Sequence, residues 1–142
     1  MTSDMSGQIF QATFGVGRWL RSKMLVCATD GVYLPQMHAL IFIRERKGIT
    51  MKELAHAFQV TSPSATALVD RLQGMGLVRR KHDSRNRKLV RLFITKDGEK
   101  VLRRKMAFTK QMIAGMLAGL SSGDQTTLLS LLRKVSKNCP HK

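Results

Sequence analysis

Three hydroxyl residues, Ser62, Ser64 and Thr66, share a short segment with Ala67 and Arg71, and six cations follow within ten positions: Arg79, Arg80, Lys81, Arg85, Arg87 and Lys88. Hydroxyls can contact phosphate oxygens and several base edges, so they position a nucleic acid well and discriminate weakly. Small side chains let a helix backbone approach a groove, and flanking cations neutralise phosphates. Two blander readings compete: Ser62 or Thr61 as a helix cap, and the charge run as a solvated face. The whole-chain balance favours binding, because 25 Lys and Arg stand against 9 Asp and Glu, a formal charge of +16. Such a surface seeks polyanions, with nucleic acid or an anionic membrane as natural partners. Residues 71–105 alone carry 13 Lys or Arg against Asp83, Asp97 and Glu99.

Other chemistries find little material. No apolar run approaches the roughly 18 to 20 residues of a membrane span, and the start, MTSDMSGQIF, does not read as a secretory signal. Cys27 and Cys139 make no disulfide framework, so a reducing cytoplasmic setting is expected. His38, His56, His82 and His141 lack zinc-ligand spacing with each other or with the cysteines, and neither metal nor cofactor is expected. His82 reads as surface, and His38 as part of a core-facing helix start. No Gly-rich phosphate loop, nucleophile–base set or paired carboxylate occurs, which argues against an enzyme. Cys27, with Arg21 and Lys23 nearby, could sense oxidants, but it also fits an apolar stripe.

The elements that must position the basic segment follow from periodicity. Ile9, Phe10, Phe14, Trp19, Leu20, Met24 and Cys27 recur at helical spacing and predict a long helix to about residue 28, ended by Asp30 and Gly31. Leu34-Pro35 opens a second helix, carrying Met37, Leu40, Ile41 and Phe42, which Lys47-Gly48 stops. Thr50 and Glu53 form a capping box ahead of a short helix burying Leu54, Ala55 and Phe58. Thr61-Ser62-Pro63-Ser64 starts the next, with Ala65, Leu68, Val69 and Leu72 inward and Ser62, Ser64, Thr66, Ala67 and Arg71 outward. Two short helices joined by a turn of three or four residues make a helix-turn-helix.

From Leu77 the pattern predicts two short strands, the second over 88–95, around a polar basic loop at 82–87. A long helix after Thr95 should bury Val101, Leu102, Phe108, Met112, Ile113, Met116 and Leu117. Met112 and Met116 read as core rather than as a pliable ligand pocket. A last helix, capped at 121–124, carries Leu128, Leu129, Leu132 and Val135, and residues 137–142 read as a frayed tail. The expected fold is mainly α with a small β-hairpin, one domain in size.

The ordered pieces of residues 50–98, TMKELAHAFQVTSPSATALVDRLQGMGLVRRKHDSRNRKLVRLFITKDG, resemble the DNA-binding core of the MarR family of bacterial regulators. ELA, the TSPS helix start, LVDRL, GLVRR and the closing T-x-x-G fall at the family's spacing, and the flanking helices extend the resemblance over nearly the whole chain. The resemblance implies a winged helix-turn-helix at 34–97, flanked by long dimerisation helices at 1–33 and 98–142, with Phe10, Phe14, Leu128 and Leu132 in the dimer interface. It also implies a homodimer reading double-stranded DNA at a roughly palindromic operator, as a repressor that a small effector could release. One departure stands out. Where the family's wing carries Asp-x-Arg, seven residues ahead of the conserved Thr, this chain has Asn86-Arg87-Lys88, so the usual buttressing ion pair is expected to be absent, with Asp83-Ser84-Arg85 repeating its chemistry three residues earlier. The rival reading of so basic a chain is a winged-helix architectural or RNA- or protein-binding module of a larger assembly.

Overall fold

The computed structural model describes residues 4–26 and 30–139. The chain divides into two compact units, Met1–Met37 and His38–Lys142. In the first, helix α1 (Met5–Val26) follows the predicted apolar stripe, yet Ile9, Phe10 and Phe14 are each more than half exposed. The Phe10 and Phe14 rings stack one turn apart, with centroids at 5.9 Å. Cys27, the redox candidate, lies outside the described residues, as does His141. Helix α2 (Leu34–Glu45) begins in this unit with Pro35 in its first turn, where a missing N–H is harmless. The side chain of Gln36 accepts from the Tyr33 N–H at 3.1 Å and satisfies the helix start.

In the second unit α2 ends where Lys47 and Gly48 turn to positive φ. Strand β1 (Ile49–Thr50), which the periodicity does not reveal, then leads into helix α3 (Met51–Phe58). The capping box is present: Thr50 Oγ1 accepts from the Glu53 N–H at 3.3 Å, and Glu53 Oε2 accepts from the Thr50 N–H at 2.7 Å. Gln59, left-handed at φ 52°, closes α3, and helix α4 (Ser62–Gly74) begins after Thr61. A Schellman turn stops α4, with Gly76 at φ +74°, its N–H on Gln73 O and the Leu77 N–H on Leu72 O.

Strands β2 (Val78–His82) and β3 (Val90–Ile94) form the hairpin, and β1 adds to its far edge, giving an antiparallel sheet of order β1-β3-β2 rather than a bare hairpin. Val78 stands opposite Ile94 and His82 opposite Val90. Leu40, Ile43, Leu54, Val69, Leu72, Val78, Leu92 and Leu102 are fully buried, and each such aliphatic side chain contributes about 1.5–3 kcal/mol relative to exposure.

Two long helices complete the unit, α5 (Lys96–Leu117) and α6 (Ser122–Lys137). Of the apolar residues expected to be buried on α5, only Leu102 is fully so; Val101, Phe108, Met112, Ile113 and Leu117 are half-buried and Met116 is exposed. The helix outruns the core that one chain can provide. Phe58 and Leu68 are also only half-buried, and His38, expected at a core-facing position, is exposed, because Ala39, Leu40 and Ile43 take the inward face of α2.

Candidate nucleic-acid interface

Helix α4 presents two faces for a simple reason of spacing. Ala65, Val69 and Leu72 point inward and are essentially fully buried, which turns Ser62, Ser64, Thr66, Ala67 and Arg71 to solvent. Thr61 is the cap, so Ser62 stands one position inside the helix. Thr61 Oγ1 accepts from the Ser64 N–H at 3.3 Å and donates to Ser64 Oγ at 2.9 Å. The Ser64 proton remains available to an outside acceptor. Helix α3 packs on α4, joined to it through residues 59–61. Small side chains over the first two turns of α4 leave its backbone open to close approach.

The wing is built around Asp83. Its Oδ1 accepts from the N–H groups of Arg85 at 2.8 Å and Asn86 at 3.0 Å, which folds the chain back on itself. Asn86 Oδ1 accepts from the Lys88 N–H at 3.1 Å, and the His82 Nδ1–H donates to Arg87 O at 2.9 Å. The outcome is a tied loop from which Arg85, Arg87 and Lys88 stand exposed.

Asp83 Oδ2 also takes the Arg91 guanidinium at 2.5 Å, and Arg91 donates onward to Gly48 O at 2.8 Å. An ion pair thus braces the wing, but through residues other than those at the family's Asp-x-Arg positions, which hold Asn86, Arg87 and Lys88. Asp83 is its acid, while its base is Arg91 on β3 rather than Arg85. The Arg91 hydrogen bond first, then the Arg85 and Asn86 N–H groups, hold the Asp83 carboxyl below the usual carboxylate range.

At the wing's root, two of the three cations on β2, Arg79 and Arg80, have internal partners. Arg80 pairs with Asp70 of α4 at 2.6 Å, tying the strand to the helix, and the Arg79 guanidinium lies over the Phe93 ring at 5.2 Å. Lys81 is exposed. The T-x-x-G segment acts as a clasp. Thr95 Oγ1 donates to Gly76 O at 2.6 Å and accepts from the Gly98 N–H at 3.0 Å, while the Thr95 N–H donates to Leu77 O at 3.0 Å. Asp70, Arg91 and the Leu77–Gly98 contact escaped sequence reading; only the turn-forming run after Asp83 hinted at an Asx turn.

Among the described residues no group of three His, Cys, Asp or Glu side chains could hold a metal ion, and no helix is long and apolar enough to cross a membrane. A hydroxyl-faced helix held beside a braced cationic hairpin defines a winged helix-turn-helix DNA-binding protein. Residues 32–90 match the profile of the MarR family. The chain is 32% identical over 113 residues to the uncharacterized HTH-type transcriptional regulator YybA of Bacillus subtilis (strain 168), covering 78% of this chain and 71% of that protein. It is 29% identical to the transcriptional regulator HosA of Escherichia coli O127:H6 (strain E2348/69 / EPEC), over 71% of this chain and 75% of HosA. The solved structure of a MarR family protein from Bacillus stearothermophilus shares the fold at a TM-score of 0.87, with 22% identity over 98% of both chains. The chain belongs to the MarR family and is a DNA-binding transcriptional regulator.

Proposed function

We propose that two copies of this chain bind a pseudo-palindromic operator in the cytoplasm and repress by excluding polymerase, with no catalytic step. The observation that carries this reading is the outward face of α4, Ser62, Ser64, Thr66, Ala67 and Arg71, standing beside a wing whose tip cations are held out by Asp83. In this reading α4 enters the major groove. Arg85, Arg87 and Lys88 reach a neighbouring groove or its phosphates, and Arg79 and Arg80 stand nearer the backbone. The two units contribute to pairing through the exposed Phe10 and Phe14 of α1 and through Leu128 and Leu132 of α6, so that residues 1–33 and 98–142 serve association and 34–97 serve reading. Two half-sites about one helical turn apart would then be gripped together.

Sequence preference should be modest in its chemistry. Hydroxyls dominate the reading face, so most affinity comes from phosphate neutralisation and falls steeply with salt. A small effector would relieve repression by changing the distance between the two copies of α4, which requires that it bind the two arrangements unequally. The test is selection of bound sites from random duplexes at stated salt, followed by footprinting. A defined palindrome, preferred over bulk DNA by at least about a thousandfold, is expected. A uniform smear would instead support the architectural reading that the +16 charge suggests.

A further inference from the structure

A second cationic surface shares no residue with the outward face of α4 or with the wing tip. The end of α2, the turn into β1, the exposed side of α3 and Arg91 of β3 enclose an open cleft of about 500 Å³. Arg46, Lys47 and Lys52 line it and are exposed, and among the described residues none lies within ion-pair distance of a carboxylate. The one carboxylate in the cleft, Glu53, is turned onto Thr50, accepting from its N–H at 2.7 Å and its hydroxyl at 2.8 Å. Those bonds, with lesser contributions from the Arg91 and Arg46 charges, hold its carboxyl below the ordinary range.

Part of this wall is held in place. The Arg46 guanidinium lies over the Phe42 ring at 5.2 Å. Lys47 precedes Gly48, whose φ of +89° and closeness to the Phe93 ring leave the turn little freedom. Arg91 is fixed between Asp83 and Gly48 O. Three cations with no ion-pair partner among the described residues, on one concave wall, suit a convex, regularly charged ligand. A duplex strand presents one phosphate per about 3.4 Å of axis. The first helix of a helix-turn-helix crosses the backbone, and Lys52 stands on that helix, leading from the groove-reading element towards Arg46 and Lys47.

We propose that this cleft takes the phosphate backbone of the same duplex outside the half-site that α4 reads, lengthening the footprint. The inference rests on the DNA-binding reading above. It is tested with the intact protein, Arg46→Gln/Lys47→Gln beside the parent chain, with Lys52 left in place on the helix that crosses the backbone, after circular dichroism has matched the two. Each is titrated, at several salt concentrations, against the selected operator alone and against the same operator with about ten further base pairs at each end. The parent chain should bind the longer duplex at least tenfold more tightly, with a salt slope steeper by up to about three per protomer. The variant should bind the short duplex as the parent does and lose that gain.

Equal affinity of the parent chain for both lengths, or a gain retained in the variant, overturns the proposal while leaving operator binding intact. So does a parent-specific rise in melting temperature with inorganic phosphate in the absence of any length effect, which would mark a small-anion site instead. Failure of the parent chain to bind either duplex removes the DNA-binding reading itself and this inference with it.

Discussion

Replacing Asp83 by Asn leaves the size of the side chain unchanged and removes the charge on which the wing turn is built. The carboxylate serves two backbone N–H groups and the Arg91 guanidinium at once. Because these partners lower its pKa in the folded chain, the unfolded chain takes up a proton more readily as acid is added. The contribution of Asp83 is thus complete above about pH 4 and is lost as pH falls through the lower folded value. In the parent chain, the Arg85 and Asn86 amide resonances should move towards unstructured positions as the solution is acidified below about pH 4. In Asp83→Asn they should already be displaced at neutral pH and show no such step. Amides that ignore both the substitution and the acid would refute the role given to this carboxylate. Gly98 makes a different demand, for space. A Cβ there would overlap the Leu77 carbonyl oxygen and lie 2.7 Å from Ile94 Cγ1. The carbonyl cannot retreat freely, since it accepts from the Thr95 N–H. Gly98→Ala should cost about 1–3 kcal/mol, read as a lower urea midpoint at unchanged slope; an unchanged midpoint would show that the clasp has slack.

At the scale of elements, the proposed complex divides the labour of binding between the wing and α4, and one double variant separates them. Arg87 and Lys88 are exposed on a loop whose shape is set by backbone bonds to Asp83 and Asn86 and by the His82 ring, so Arg87→Ala/Lys88→Ala should leave the hairpin folded. Affinity should fall by a similar factor for operator and for unrelated duplex, and the salt slope should drop by about two. Loss of preference with bulk affinity unchanged would mean that the wing reads bases. The helix-turn-helix was legible because its signals are local: a capping box at Thr50, a hydroxyl–proline start at 61–64, and inward residues at helical spacing. What was not legible depends on pairing across the chain. Strand β1 is two residues long, too short for alternation, and exists because Ile49 and Thr50 find Leu92 and Arg91. The Asp83–Arg91 and Arg80–Asp70 pairs join partners eight and ten residues apart, a spacing set by strand register and by the α4–β2 turn rather than by any periodic pattern. The stripe on α5 was correctly seen as apolar but wrongly taken as interior, because periodicity marks which face is apolar and is silent about what covers it.

At the scale of the whole molecule, that last point becomes a question of what covers the terminal helices. Helix α6 has 16 residues and none is buried, with Leu129, Leu131, Leu132 and Val135 each about half exposed. On α1, Phe10 and Phe14 are 67% and 60% exposed. In proteins most helical stability comes from packing of an apolar face rather than from propensity, so these faces call for a cover. Net repulsion between copies of a strongly positive chain opposes their association, so apolar burial must outweigh it. The proposed association through them would cover these faces and join two recognition helices in one body. Leu132→Asp should then yield a species that sediments as a monomer, with helical content reduced through partial loss of α6. Against a full palindromic duplex its affinity should fall by roughly two to four orders of magnitude, the size of the advantage that linking two sites confers. Against a single half-site it should bind about as the parent protomer does, since α4 and the wing are untouched. The contrast between the two duplexes matters more than either value alone. A variant that merely misfolded would lose both affinities, and one that sedimented as a dimer with full operator affinity would show that α6 is not where the copies meet.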